Sequence, residues 1–166
     1  MSKIVIRDIK DNELNDIYII NQANVPNLGT LTFEQLLLLK ELSSYFKVAI
    51  VEGEIAGFVI ALKENKAYNS ENYKYFTQNY QEFIYIDRIA ILKKFQKQSI
   101  GKLLYKDIEQ KFKNNSKFML AEVNTNPKNE QSIKFHQKCG FKIIFEKEYN
   151  KEYSVAFFAK KINDTI

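Results

Sequence analysis

Lys93, Lys94, Lys97 and Lys102 crowd around Gln96, Ser99 and Gly101 in the stretch from Ile91 to Lys102. The stretch joins an apolar strand-like run to the start of a helical one. Backbone N–H groups and the positive end of a helix dipole converge at such a junction, which suits a phosphate or pyrophosphate anion. A plain strand-to-helix turn accounts for the same spacing without a ligand. Neither Gly-x-x-x-x-Gly-Lys-Ser/Thr nor Gly-x-Gly-x-x-Gly occurs here. Asp87 and Glu122 are lone carboxylates set in apolar strand-like runs, which by themselves read as solvated or ion-paired side chains, Asp87 with its neighbour Arg88. His136 is the only histidine and Cys139 the only cysteine, so an internal disulfide and a His/Cys zinc cluster are both excluded.

The elements that hold these residues can be read from apolar spacing. Ile4 to Asp8 reads as a strand, and Asn12 to Gln22 carries Leu14, Ile17, Tyr18 and Ile20 near helical intervals before the turn-forming residues 24–29. Thr32 and Gln35 make a capping box for a second helix that ends near Tyr45. Lys47 to Val51 and Ile55 to Leu62 flank Glu52-Gly53-Glu54, a hairpin signal. Residues 65–81 are polar but hold five aromatics without a clean period, which predicts a folded insertion or lid. Phe83 to Leu92 is a strand, Ser99 to Phe112 a helix, Phe118 to Val123 a strand and Asn129 to Lys138 a helix. Strands over Phe141 to Phe145 and Tyr153 to Ala159 complete the chain. About seven strands and four helices predict an α+β, mixed-sheet domain of three layers with helices on both faces.

The 166 residues, 45% of them hydrophobic, suit one domain spanning 1–166. Lys and Arg number 25 against 20 Asp and Glu, but only Arg7 and Arg88 are arginines. Bidentate readout of bases and phosphates is an arginine habit, which argues against a nucleic-acid partner. The start of the chain lacks a signal-peptide run, and no stretch approaches the roughly 20 apolar residues that span a bilayer. A reduced cytoplasmic setting without a membrane partner is the expectation.

Residues 91–102 resemble the coenzyme A signature of the GNAT superfamily of N-acetyltransferases: a valine-like residue, four spacers, then Gln/Arg-x-x-Gly-x-Gly/Ala. Ile91 stands at the valine position, Gln96 at the Gln/Arg position and Gly101 at the last, while Ser99 replaces the middle glycine. Downstream, Asn129-Glu-Gln-Ser132-Ile-Lys-Phe135-His136-Gln-Lys-Cys139-Gly140-Phe141 is similar to the later motif Asn-x-x-Ala-x-x-Phe-Tyr-x-x-x-Gly-Phe, with Ser132 for alanine and His136 for tyrosine.

The resemblance implies a GNAT-like fold with a mostly antiparallel, twisted central sheet, and acetyl-CoA as cosubstrate with no metal. In similar proteins the coenzyme lies where the fourth and fifth strands splay. Backbone groups of Ile89, Ala90 and Ile91 would then pair with the pantetheine, and the Ile91 N–H would face the developing oxyanion. Gln96, Lys97, Gln98, Ser99, Ile100, Gly101 and Lys102 would wrap the pyrophosphate. Asn129 would contact the pantetheine arm and Lys138 a phosphate. Glu122 matches a position where some members carry the base that deprotonates the amine, with Asp87 a second candidate. His136 would protonate the departing sulfur or simply hydrogen-bond a neighbour, and Cys139 reads as a small core residue. The implied function is direct acetyl transfer to a primary amine, a small molecule or a peptide, in a ternary complex; a homodimer is compatible with it. A non-catalytic CoA-binding sensor is the alternative that the replacements at Ser99, Ser132 and His136 keep open.

Overall fold

The computed structural model describes residues 2–164. Seven strands form one sheet: β1 (Ile4–Asp8), β2 (Tyr45–Val51), β3 (Glu54–Lys63), β4 (Phe83–Ile91), β5 (Phe118–Asn126), β6 (Lys142–Asn150) and β7 (Tyr153–Lys161), in the order β1-β2-β3-β4-β5-β7-β6. Every neighbouring pair is antiparallel except β4 with β5. Five α-helices cover it: α1 (Leu14–Ala23), α2 (Phe33–Leu42), α3 (Glu71–Asn79), α4 (Ile100–Phe112) and α5 (Glu130–Lys138).

Local chemistry explains the elements. The β2–β3 hairpin turns on Glu52 and Gly53, both at positive φ (52° and 79°), the two-residue turn whose twist matches the flanking strands. Thr32 accepts from the Gln35 N–H at 3.1 Å while the Gln35 side chain accepts from the Thr32 N–H at 2.9 Å, so the second helix starts as its capping box predicts. Helix α5 ends in a Schellman motif: the Phe141 N–H reaches the His136 carbonyl, the Gly140 N–H reaches that of Gln137, and Gly140 adopts φ 92°.

Two apolar clusters fill the layers. Leu14, Ile17, Leu36, Leu39, Tyr73 and Phe76 pack on one face of the sheet, and Ile100, Leu104, Ile108, Phe112 and Ile133 on the other. The sequence count of four helices misses α3, which lies within the aperiodic stretch 65–81. Ser70 caps α3 through the Tyr73 N–H at 3.3 Å. Tyr73 and Phe76 are almost fully buried, and the Tyr75 ring stacks on Phe157 with centroids 4.3 Å apart. This segment is part of the core layer rather than a cover over it.

Two irregularities in β4 open and shape the space beside it. The strand pairs with β5 over only three residues, Phe83–Tyr85 against Phe118–Leu120, and beyond them the strands separate. On its other side Ile60 faces Arg88 while Ala61 faces Ile86, so Asp87 is the extra residue of a β-bulge. The bulge resets the strand's alternation, and Ile86, Ile89 and Ile91 all pack towards the α4 and α5 layer.

Candidate active site

Where β4 and β5 part, a cleft of about 1150 Å³ opens, bordered by the loop before α4, by α5, by the α1–α2 connection and by the β6–β7 turn. Ile89, Ala90, Ile91, Gln96, Lys97, Ser99, Ile100, Gly101 and Lys102 line it. So do Asp87, Glu122, Asn129, His136 and Lys138. Gln98 is exposed and does not belong to the lining.

Successive residues of a strand turn their backbone groups to opposite edges. The Leu92 N–H bonds the Ala56 carbonyl in β3 at 2.8 Å, and Ile91 O accepts from Gln96 Nε2 at 3.3 Å on the other edge. Ile89 and Ile91 therefore face the gap, whereas Ala90 directs its carbonyl towards β3. Among the three residues expected to pair with a pantetheine, the middle one reaches the cleft by its side chain alone.

Gly57 explains how β3 and β4 come this close. A Cβ there would sit 2.5 Å from Ala90 O and 2.6 Å from Ile91 Cδ1, a clash with backbone that no rotamer relieves. Gly57→Ala is expected to lower stability by about 1–3 kcal/mol, as overpacking does, and to weaken binding at the Ile89–Ile91 edge; denaturant unfolding and coenzyme titration measure the two effects.

The loop before α4 places Lys97 and Ser99 at positive φ, 65° and 62°. Ser99 occupies the N-cap, but its side chain makes no capping hydrogen bond, contrary to the ordinary use of serine there. Among the described residues the N–H groups of Ile100, Gly101 and Lys102 thus have no intrahelical or capping side-chain partner, the condition for holding an anion. Gly101 has a packing reason: a Cβ would lie 3.0 Å from Phe135 Cε1, so its absence lets α5 pack against the start of α4. Asn129 caps α5, its Oδ1 accepting from the Ser132 N–H at 3.2 Å.

Glu122 and Asp87 share a buried polar cluster in the cleft. Tyr85 donates its hydroxyl to Glu122 Oε1 at 2.8 Å, while Oε2 is buried without a hydrogen-bond partner among the described residues. Burial, reinforced by the negative charge of Asp87, pushes the Glu122 carboxyl up to about 8; Tyr85, Asn72 and Arg88 oppose the rise. Burial also raises Asp87, opposed first by Arg88, whose Nε lies 3.3 Å from Oδ2, and then by Tyr68 and Tyr85. Two close carboxyls of this kind titrate as a coupled pair. The ion pair keeps the negative charge on Asp87 and leaves the proton near neutrality on Glu122.

Arg88 is anchored through Nη1, while its buried Nε faces Asp87 as an ion pair without a hydrogen bond. Its Nη1 donates to Asn21 Oδ1 at 3.0 Å and to the Gly29 carbonyl, and Asn21, itself buried, donates to the same carbonyl at 3.1 Å. On the far side Asn124 of β5 donates to Pro26 O at 3.5 Å. Residues 24–29 therefore form a strap fastened to both separating strands. The family resemblance also implies that residues 22–45 and the aromatic stretch 65–81 flank the acceptor side, with tyrosines there able to line a pocket, and residues 26–29, Tyr68 and Asn72 do border the cleft. What the spacing along the chain does not signal is the fastening of the strap through Arg88 and Asn124 and the bond from Tyr85 to Glu122.

His136 lies in an aromatic setting and is 2% exposed. Burial pushes its imidazole down to about 4, so the ring is neutral at pH 7. Nδ1 is 2.8 Å from the Ser132 carbonyl, which can only accept, so Nδ1 carries the hydrogen. Nε2 then accepts from the Tyr105 hydroxyl at 2.8 Å. The ring has no proton left to give towards the cleft, unlike the acid that the downstream motif implies. His136→Phe is expected to destabilise the protein by about 1–3 kcal/mol by orphaning the buried Tyr105 hydroxyl, and adding Tyr105→Phe to recover part of that loss, measured by thermal denaturation. Cys139 is half-buried with its thiol raised by burial, a poor setting for a nucleophile. Among the described residues no His, Cys, Asp and Glu group can hold a metal ion, and no helix is long and apolar enough to cross a membrane.

A sheet parted between β4 and β5, a helix start without a side-chain cap and a buried carboxylate meet in one cleft, an arrangement suited to transfer of a group carried by an anionic coenzyme. The chain belongs to the acetyltransferase (GNAT) family, whose model matches residues 12–141. Ard1 from Thermoplasma volcanium is similar in fold, with TM-score 0.77 and 20% identity over 95% of this chain and 97% of that one. The ribosomal-protein-S18-alanine N-acetyltransferase from Escherichia coli matches with TM-score 0.75 and 13% identity over 99% of each chain. So does yncA from Salmonella typhimurium, a structure with its cofactor acetyl-CoA, with TM-score 0.72 and 13% identity over 99% of this chain and 97% of that one. No curated protein matches the sequence.

Proposed function

We propose that the protein transfers an acetyl group from acetyl-CoA directly to a primary amine while both are bound. The observation that carries this reading is that Glu122, with its free buried Oε2, and the unpartnered N–H groups opening α4 border the same cleft from opposite ends. The residues present fit the coenzyme: the backbone edge of β4 at Ile89 and at the Ile91 N–H, which faces the gap, for an extended amide chain, the α4 N–H groups with Lys97 and Lys102 for the pyrophosphate, and Lys138 for a further phosphate. Acetyl-CoA supplies a thioester whose acetyl carbon takes the amine nitrogen as the coenzyme leaves as a thiol.

The protein's own task is to unload the amine. An alkylammonium has a pKa of about 10.4 and is almost wholly protonated at neutral pH. Asp87 draws the cation in; Glu122, once it has shed its own proton, accepts the ammonium's at Oε2 while Tyr85 holds Oε1, so the competent fraction grows as pH rises towards 8. The raised Glu122 carboxyl, at about 8, is a stronger base than an ordinary carboxylate and closer to the pKa of the proton's donor. The high thiol pKa of Cys139 speaks against a relayed acetyl group. Calorimetric titration with acetyl-CoA, followed by thiol release over a panel of amines, tests the reading. Binding and turnover are expected; absence of binding at millimolar coenzyme rejects it, and binding without release from any amine leaves a coenzyme sensor in its place.

A further inference from the structure

The cleft is electrically divided. Its lysines, Lys97, Lys102, Lys134 and Lys138, all belong to the loop before α4, to α4 or to α5. Its carboxylates, Asp87, Glu122 and Glu152, belong to β4, β5 and the β6–β7 turn. Arg88, the single cation of the lining at the acidic end among the described residues, has its guanidinium held by Asn21, the Gly29 carbonyl and Asp87. No other described cation lines that end of the cleft.

Resting on the amine-acetylation reading, we infer that the acceptor is a small diamine or polyamine: a primary ammonium carrying a second cationic nitrogen and no carboxylate. Three features converge on this class. An amino acid would bring its carboxylate beside Asp87, whose ion-pair partner Arg88 is the one described cation lining this end, and beside a Glu122 that turns negative as it becomes a base; like charges in a desolvated site repel strongly. A second ammonium instead finds Glu152, exposed at the mouth of the cleft, and the rings of Tyr68 and Tyr153 in its wall, which attract cations through their faces. The strap 24–29, fastened to β4 through Arg88 and to β5 through Asn124, bridges the separating strands at this end, so a polypeptide could not lie along the whole gap between them.

The test compares three acceptors of one length: 1,5-diaminopentane, 1-aminopentane and 5-aminopentanoate, which end in an ammonium, a methyl and a carboxylate. Thiol release at saturating acetyl-CoA is expected to give a kcat/KM for the diamine about tenfold above the monoamine and about a hundredfold above the carboxylate, tenfold being about 1.4 kcal/mol of differential interaction. Glu152→Gln is expected to shrink the diamine's advantage over the monoamine about fivefold, the size of effect a single partly exposed ion pair carries. A carboxylate acceptor, or an alanine-initiated peptide amide, turned over as well as the diamine overturns the inference. Acetyl-CoA binding measured separately keeps the two levels apart. Binding without turnover of any diamine overturns the acceptor class alone, and failure to bind removes the acetylation reading beneath it.

Discussion

Glu122→Gln is expected to reduce kcat/KM at pH 8 by a factor of about 10²–10⁴, the usual contribution of a positioned general base. The substitution is nearly isosteric, and the new amide oxygen still accepts from Tyr85, so the loss reports the missing base rather than a rearranged pocket. The pH profile provides a second signature. In the native protein the carboxyl titrates near 8; activity climbs with pH below that value and flattens above it. The variant lacks this limb. Stability moves in the opposite sense. Because the folded-state value lies above the ordinary 4.5, the folded protein holds a proton there that the unfolded chain releases. That stabilisation is complete below about pH 4.5 and is lost as pH rises through 8. The melting temperature of Glu122→Gln should therefore gain on that of the native protein across this window. A variant that lost activity but showed no such crossover would place Glu122 outside the buried pair.

Arg88→Met is expected to be the most destabilising single change in the cleft. It leaves Asp87 as a buried charge without its counter-ion and unties the Gly29 carbonyl and Asn21 at once. Breaking a buried ion pair from one side typically costs about 3–5 kcal/mol, which for a chain of this size corresponds to a fall in melting temperature of roughly 6–20 °C. Adding Asp87→Asn should recover part of it, since the double variant no longer buries an unmatched charge. The loss should also shrink at acid pH, where Asp87 takes up a proton. Acceptor KM should rise more than coenzyme affinity falls, because the strap borders the acceptor end.

Much of the scaffold was legible in the residues, for identifiable reasons. The capping box at Thr32, the hairpin at Gly53 and the apolar alternation of β4 are local signals, fixed by neighbours a few positions apart. Even the bulge left a trace: Ile84 and Ile86 are two apart, Ile89 comes three later, and Ile91 resumes the interval of two. That skipped beat marks Asp87 as the residue turned out of register. Helix α3 was illegible because its buried face is only Tyr73 and Phe76, three apart in a short and otherwise polar helix, with Tyr75 beside them interrupting the period. The clamp of Arg88 on Asn21 and Gly29 was hidden for another reason: its members lie far apart in the chain, and only the sheet order brings β4 under the α1–α2 connection. The coenzyme motif identified the positions of Ser99 and Gly101, but their physical reasons differ from those that the motif suggests. Gly101 makes room for Phe135, and Ser99 accepts a left-handed backbone without capping the helix it precedes.

The short contact between β4 and β5 has a thermodynamic corollary. Among the described residues, three residue pairs are the only ladder joining β1–β4 to β5–β7, and beyond them the two halves of the sheet are held by shared side-chain packing and by the strap 24–29. A ligand that fills the missing rungs stiffens the whole molecule, and by mass action it favours the folded form. At a free concentration one hundred times its dissociation constant, such a ligand adds about 2.7 kcal/mol to the free energy of unfolding. Amide exchange in Ile86–Ile91 and Ala121–Asn126 should slow together as the coenzyme is added. In a cell, the lifetime of this protein against proteolysis would then follow the size of the acetyl-CoA pool.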